Sequence, residues 1–592
     1  MKDKDQARRR ARKTSKAGSA TPARQAACEI LYQVLEEKRY SNHSLDEALS
    51  KAELDLQDRR FASAMVYGTL HFLPAVDYFI TPWSKKPLAK LDPWLRTILR
   101  LSVWQIHYGQ VPDRAAVNEG VNLAKQYLPP YLVGYCNGVL RNVCRHPREI
   151  PAEQEYLSYG IPAELHELLT TWYSKEEVEA IYAANAAFAG DVTLRLNPLR
   201  TQASVLTQAL EEGDGQVRPG KYFPHALHID RLATPIAQTT AYAHGDFSIQ
   251  DEAGLFVSQL ALSAFATNTP LSILDACAAP GSKTFDLIAR LLQGGQSFHL
   301  WANDKSRTRL SALARQLTKL LVPPFVNEEE AESQKAAKDS KNLVSNGKDR
   351  DDEVIQIFSK GDTKIYVVKG DWTQKPSWLY PMAESKAQAS SLLGEPSQML
   401  SPGPFDLVLA DVPCSSLGTM DAHPELRQRI TKAYLAEFPP LQLEILEHLG
   451  GLVRPGGLLL YSTCTINPQE NQDVIAAFLK TELGSSFERV PILRQDLAFG
   501  LDEGWEVLQA GTSPDKERVP LEDETNEALA SSKGEIGQAM DALADRHATE
   551  MALGELRLRR DLDETSGFFI CRLRKKSDPQ QVPGPVDPDA IA

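Results

Sequence analysis

Leu271-Ser-Ile-Leu-Asp-Ala-Cys-Ala-Ala-Pro-Gly-Ser-Lys-Thr284 is an apolar run that ends in an acid, turns through small residues and enters a helical pattern. This succession reads as the first strand, loop and helix of a nucleotide-binding α/β sheet. Small side chains let the backbone approach a ligand closely, and the N-terminus of the following helix favours anionic or polar groups. Gly281 is the only glycine of the turn, which excludes a Gly-rich dinucleotide fingerprint, and the upstream glycine of a phosphate cradle is missing.

Downstream, strands alternate with helices, which predicts a mostly parallel sheet. Phe298-His-Leu-Trp-Ala-Asn-Asp304, Ile365-Tyr-Val-Val-Lys-Gly-Asp371, Phe405-Asp-Leu-Val-Leu-Ala-Asp411 and Leu458-Leu-Leu-Tyr-Ser-Thr-Cys464 read as the second to fifth strands. Phe568-Phe-Ile-Cys-Arg-Leu573 reads as the last. Ligands of open α/β sheets bind beyond the carboxyl ends of the strands, where Asp275, Asp304, Asp371, Asp411 and Cys464 all fall. An Ala-Pro-Gly turn in this place looks like an S-adenosylmethionine site. Asp304 is placed to accept hydrogen bonds from two ribose hydroxyls and Asp371 to lie beside the adenine, although such acids also cap the helices that follow.

Three polar, weakly periodic stretches interrupt the alternation, at 324–353, 384–403 and 511–550, and read as surface insertions or disordered loops. The first and third hold much of the acidic excess, so the net charge of -13 does not exclude an RNA-binding face elsewhere. Upstream, residues 21–148 are helical almost throughout. Asp92-Pro93 starts a helix in which Leu95, Ile98, Leu99, Val103 and Ile106 recur at helical spacing, and Asp113 is placed to cap the next. Arg59, Arg60, Arg96, Arg100, Arg141 and Arg145 interleave with these apolar faces, either as ordinary solvated surface or as an RNA-binding face. Residues 150–245 read as a small α+β module, with one helical stretch from Pro162 to Ala187 and a strand over Thr193–Arg200. The Arg-rich residues 1–20 read either as a solvated tail or as a source of salt-sensitive phosphate contacts, and 577–592 as a disordered tail.

The seven cysteines (28, 136, 144, 277, 414, 464 and 571) are scattered without a Cys-x-x-Cys pair, which argues against a disulfide framework or a metal site. No apolar run reaches the length of a membrane span. The chain therefore reads as cytoplasmic, with no membrane and no metal. Two of the cysteines fall at adjacent strand ends, in Pro413-Cys414 and Thr463-Cys464. Cytosine C5 is too weak a nucleophile to take a methyl group directly, but a thiolate adding at C6 makes C5 enamine-like. An acid near N3, such as Asp411, would offset charge developing on the ring.

Two resemblances extend this reading. Asp58-Arg-Arg-Phe-Ala62, Val66-Tyr-Gly-Thr69, Val111-Pro-Asp-Arg-Ala-Ala-Val-Asn-Glu119 and Asn137-Gly-Val-Leu-Arg141 resemble the all-helical, RNA-binding domain shared with the antitermination factor NusB. Leu274-Asp-Ala-Cys-Ala-Ala-Pro-Gly-Ser-Lys-Thr284, Asp411-Val-Pro-Cys414, Ser462-Thr-Cys-Thr-Ile-Asn-Pro-Gln-Glu-Asn471 and Ser566-Gly-Phe-Phe569 together resemble the Nol1/Nop2/Sun RNA cytosine-5 methyltransferases.

The resemblance implies a Rossmann-like methyltransferase domain over 246–576, preceded by the NusB-like domain over 21–148 and the linking module over 150–245. It implies S-adenosylmethionine as donor and one cytidine of 16S ribosomal RNA as substrate, with no DNA partner, and a monomeric enzyme. Cys464 would be the nucleophile, Cys414 would assist release and Asp411 would sit between donor and base. Cys277, Ala278, Ala279, Pro280, Gly281, Ser282 and Lys283 would wrap the donor, with Asp304 at its ribose, Asp371 near its adenine and Asp411 completing the site. Ser282 stands where a second glycine is usual, and Val412 replaces the commoner alanine. Asp421-Ala422 stands where the family often has a basic residue, which puts an RNA contact there in doubt. Transfer RNA or 23S RNA as substrate, Cys414 as nucleophile, and a non-catalytic RNA-binding factor are the alternatives.

Overall fold

The computed structural model describes residues 20–39, 41, 45, 54–187, 192–265, 270–321, 353–376 and 403–498, except 213, 233 and 375, and then 523–577. The stretch 324–353 lies outside these residues except for Glu353, and 384–403 except for Gly403. Both terminal tails lie outside them but for Ala20 and Ser577. The chain forms two compact units, Met1–Ala189 with Met420–Tyr434, and Gly190–Thr419 with Leu435–Ala592.

The first unit is helical. Helices Pro22–Leu35, Leu56–His71, Leu73–Ile80, Pro93–His107, Asp113–Tyr127 and Pro130–Arg145 bury their apolar stripes in one core. The Asp92 carboxylate accepts the Leu95 N–H at 3.2 Å, and Pro93 occupies the first turn, where its missing N–H costs nothing. Leu95, Ile98, Leu99 and Val103 are buried as the spacing predicts. Asp113 differs from expectation: it is the first helical residue and makes no capping bond, so its charge complements the helix dipole instead. Two of the six arginines are structural. Arg100 pairs with Asp77 at 2.7 Å and Arg96 with Glu36, each largely screened from solvent.

Pro162–Ala187 is two helices, Ala163–Trp172 and Lys175–Ala187, and both cluster with this unit rather than with the α+β module. So does a strap, Met420–Tyr434, that follows the Pro-Cys loop in sequence. Its buried Glu425 accepts the Ser41 N–H and hydroxyl at 3.2 and 3.0 Å. Its buried Arg427 donates to the Tyr159 carbonyl at 3.0 Å. Burial lowers the Arg427 pKa to about 10, and the Asp421 carboxylate opposes that fall. The acid found in place of a basic residue thus compensates a buried guanidinium.

The second unit contains two sheets. The smaller has the order β2-β3-β1-β4, from β1 (Val192–Leu196), β2 (Gln216–Pro219), β3 (Ala226–Arg231) and β4 (Phe247–Ile249). The expected strand over Thr193–Arg200 therefore stops at Leu196, where Asn197 begins a turn. The larger sheet runs β11-β13-β10-β9-β5-β6-β8-β7, with β12 paired to β13. Its strands are β5 (Leu271–Asp275), β6 (Phe298–Asp304), β7 (Glu353–Lys360), β8 (Thr363–Lys369) and β9 (Phe405–Asp411). They are followed by β10 (Val453–Thr463), β11 (Phe487–Arg489), β12 (Glu555–Leu558) and β13 (Phe568–Lys575). The central pairs β10–β9, β9–β5, β5–β6 and β6–β8 are parallel, as the βα alternation predicts. From β5 the chain winds one way to β6 and β8 and the other way to β9 and β10. The switch point thus lies between β5 and β9.

Two elements depart from the sequence reading. The third strand is the second arm of a hairpin whose first arm is β7. Within 511–550, residues Asp523–Arg546 form a helix, and its Ile536, Met540, Leu543 and Ala544 are buried in the core of the large sheet. Among the described residues no helix is long and apolar enough to cross a membrane, and no cluster of His, Cys, Asp and Glu could hold a metal ion.

Candidate active site

The opening stretch forms β5, a loop, and the helix Ser282–Gln293. Ala276 N–H bonds to the Leu409 carbonyl of β9 at 2.9 Å and Ala278 N–H to the Asn303 carbonyl of β6 at 2.7 Å, so the loop is threaded across the switch point. Gly281 precedes the helix with φ 113°, a left-handed conformation that favours glycine, and a Cβ there would press on Leu313 at 3.0 Å. Ser282 lies one residue later, inside the helix, where no such demand exists. Arg195 of β1 is buried and braces this turn. It donates to the Ser282 carbonyl at 3.2 Å and to Ser248 Oγ at 2.8 Å, and it lies over the Phe285 ring.

Beneath the loop, Thr284 Oγ1 donates to Asp275 Oδ2 at 2.7 Å. Asp275 Oδ1 and Asn303 Oδ1 are buried without a hydrogen-bond partner. Burial pushes the Asp275 pKa up to about 7, and the Asp411 charge adds to the rise. Two unpartnered oxygens under a backbone of small residues suit a polar ligand that brings its own donors. Asp304, 4% exposed, accepts the Ser306 N–H at 2.8 Å and pairs with Arg309 at 3.2 Å. Arg309 also reaches the Ala279 carbonyl. Asp371 accepts the N–H and hydroxyl of Thr373 at 3.0 and 2.9 Å. The acids at the second and third strand ends are thus partly engaged in local turns. Cys277 is half-buried, and burial raises its thiol pKa.

The other half of the site comes from β9 and β10. Their register sets Ser462 opposite Asp411. Ser462 Oγ donates to Asp411 Oδ1 at 2.8 Å, while Lys283 Nζ, from the helix after β5, donates to Asp411 Oδ2 at 2.7 Å. Burial disfavours the Lys283 ammonium, but Asp411 outweighs it and leaves the Lys283 pKa raised. The Phe568 ring lies 5.1 Å from the same ammonium.

Cys414 and Cys464 are brought together with their sulfurs 3.3 Å apart. The Cys464 sulfur is in hydrogen-bond contact with Cys414 Sγ and, at 3.4 Å, with Ser416 Oγ; both contacts lower its pKa, with Lys283 adding positive charge. Cys414 moves the opposite way: its hydrogen bond to Cys464, its burial and the nearby Glu470 charge all keep its proton on. Within the pair, ionisation is thus easier at Cys464 than at Cys414.

Three contributors escaped the sequence reading of the site. Ser416 adopts φ 59°, uncommon for a residue with a side chain, and this turn delivers its hydroxyl to Cys464. Gly418 donates its N–H to the Cys464 carbonyl at 3.0 Å and accepts from Gly567 at 2.9 Å, which ties the Ser566-Gly-Phe-Phe569 segment to the cysteine loop. Glu470 is fully buried between the two cysteine loops. No spacing rule flags a single acid of that kind.

Residues 21–145 match the NusB family, and residues 344–503 match the family described as 16S rRNA methyltransferase RsmB/F. The probable ribosomal RNA small subunit methyltransferase B of Synechocystis sp. is 32% identical over 471 residues, 77% of this chain and 89% of the relative. Its Bacillus subtilis counterpart is 29% identical over 468 residues, 78% and 88% of the two chains. The ribosomal RNA small subunit methyltransferase B of Shewanella oneidensis is 27% identical over 489 residues, 82% and 95%. Among solved structures, PH0851 is similar in fold with a TM-score of 0.63 at 20% identity, covering 94% of this chain and 99% of that one. A helical NusB domain, a methyltransferase sheet with its strand ends turned to one site, and relatives matched over most of both lengths lead to one assignment: the chain belongs to the ribosomal RNA small subunit methyltransferase B family.

Proposed function

We propose that the protein transfers a methyl group from S-adenosylmethionine to C5 of one cytidine in 16S ribosomal RNA, through a covalent bond between Cys464 and C6. The observation that carries this reading is the thiol pair, 3.3 Å apart, with Cys464 facing Lys283, which is itself bonded to Asp411 at 2.7 Å. The substrate follows the names of the relatives, which act on the small ribosomal subunit RNA.

S-adenosylmethionine supplies an electrophilic methyl group when bound. The loop Cys277–Lys283 would hold it, with Asp304 at the ribose and Asp371 near the adenine. The unpartnered oxygens of Asp275 and Asn303 beneath that loop fit a ligand rich in donors. The Cys464 thiolate adds to C6 and forms a carbon–sulfur bond as the displaced electron pair moves through the ring to N3, and a proton passed from the Lys283 ammonium through Asp411 to N3 neutralises it. The enamine-like C5 then takes the methyl group. Loss of the C5 proton to a base returns the electron pair, restores the C5–C6 double bond and expels Cys464, with Cys414 assisting release. A cytidine in an exposed loop avoids the few kcal/mol needed to flip a base from a duplex.

The test is transfer of labelled methyl to unmodified 16S RNA, followed by bisulfite sequencing. One protected cytidine is expected, lost in Cys464→Ala, while Cys414→Ala accumulates a covalent protein–RNA adduct. An adduct that forms with Cys464→Ala and fails with Cys414→Ala would reverse the two roles. Transfer only to transfer RNA or 23S RNA would keep the chemistry and change the substrate.

A further inference from the structure

Glu470 is 0% exposed, and its carboxylate is surrounded by donors. Oε2 accepts the Ser415 N–H at 2.8 Å and the Gln442 amide at 3.2 Å. Oε1 accepts the Ser415 hydroxyl at 2.5 Å and the Asn467 amide at 2.9 Å. Ser415 directly follows Cys414 and Asn467 lies three residues after Cys464, so one carboxylate pins both cysteine loops. Burial raises the Glu470 pKa, but the four donors favour the ion, and none of these four partners is a cation. Four converging donors require a group that only accepts, which a carboxylate is, and its charge then acts on whatever lies beside it.

The Cys414 proton is held first by the contact with Cys464 and by burial, and the Glu470 charge adds to both. Cys464 faces Asp411 but also the Lys283 ammonium and two hydrogen-bond contacts, Ser416 and Cys414. The Tyr461 hydroxyl donates to the Glu470 carbonyl at 2.6 Å and stays protonated in the same negative surroundings. A thiolate at 414 would sit beside a second buried negative charge, whereas a thiolate at 464 would sit beside a positive one.

We infer that Glu470 is a positioning residue that selects the nucleophile: it ties the two cysteine loops together, and its charge keeps the proton on Cys414 so that Cys464 ionises. The inference rests on the reading of Cys464 as nucleophile.

Alkylation by iodoacetamide at pH 7, without RNA or donor and mapped by mass spectrometry, reads the thiolate at each sulfur. In the wild-type protein Cys464 should react at least about tenfold faster than Cys414, the ratio of one pK unit. Glu470→Gln keeps the shape and removes the charge, and the ratio should fall about tenfold, toward equal reaction. Glu470→Asp keeps the charge and should keep the preference for Cys464. An unchanged ratio in a folded Gln variant overturns the inference and leaves the nucleophile assignment intact. If the Gln variant does not fold, the Asp variant decides: a preference lost there means that geometry, not charge, sets it, and the inference fails. Faster reaction at Cys414 in the wild-type protein overturns the nucleophile assignment itself, and the inference with it.

Discussion

Asp275 shows how a single side chain can link the site to stability. Its carboxyl is buried, accepts one hydrogen bond from Thr284 and has a pKa near 7, well above the ordinary 3.8. The folded protein therefore holds a proton that the unfolded chain releases above its own lower pKa. The stabilising contribution is complete at acid pH and is lost as pH rises through about 7. Asp275→Asn keeps an acceptor for Thr284 and cannot ionise. We expect its melting temperature to match the wild type near pH 4 and to exceed it at pH 8, where the stability difference is on the order of a few kcal/mol. Melting curves at the two pH values check this, and equal curves at pH 8 would show that Asp275 is not held protonated. At this scale the sequence brought forward Cys414, Cys464, Asp411 and Lys283, which lie at or just past strand ends or in the first turn of a helix and which the structure brings together. It missed Ser416 and Glu470, whose importance lies in a left-handed turn and a four-donor cage that no residue pattern encodes.

Among the elements, β5, β6 and β9 have the bounds that their apolar runs predict. A strand buried on both faces is a continuous hydrophobic run, and such runs are legible. The helix Asp523–Arg546 was not, because polar residues dominate its composition, although Ile536, Met540, Leu543 and Ala544 are buried in the core. Those four recur at helical spacing, so periodicity carried the signal that polarity obscured. Leu543 is 0% exposed, and Leu543→Ala should cost roughly 2–5 kcal/mol by removing packed methylenes. Urea denaturation measures this, and a loss below about 1 kcal/mol would mean that the helix is a surface addition. The strap Met420–Tyr434 was invisible for the opposite reason. Its anchoring residues, Glu425 and Arg427, are charged, and a sequence reading assigns charged residues to the surface although both are buried here.

The whole molecule is acidic, with a net charge of -13, yet its family acts on a polyanion. The sum says little because it averages units of different composition. Those units are not consecutive in the chain: the helical one is built from residues up to Ala189 and then from 420–434. A fragment of residues 20–189 leaves Ser41 and the Tyr159 carbonyl without the Glu425 and Arg427 side chains that satisfy them. Such a fragment should melt several degrees higher when a peptide of residues 418–436 is added in excess over its dissociation constant. A melting temperature that ignores the peptide would show that the helices are complete without the strap.

Domains emerging from the ribosome generally fold in the order of their synthesis, the N-terminal one first. Here that order cannot run to completion. The helices are translated first, but the segment that bonds to Ser41 and the Tyr159 carbonyl follows the whole of 190–419, including β5, β6, β9 and the Pro-Cys loop. The nascent helical unit must wait, with Ser41 and Tyr159 unsatisfied, until residue 434 has left the tunnel. Finishing the helical unit is thereby coupled in time to making the sheet that carries the cysteine loops, and a chain truncated before the strap would leave neither in its final form.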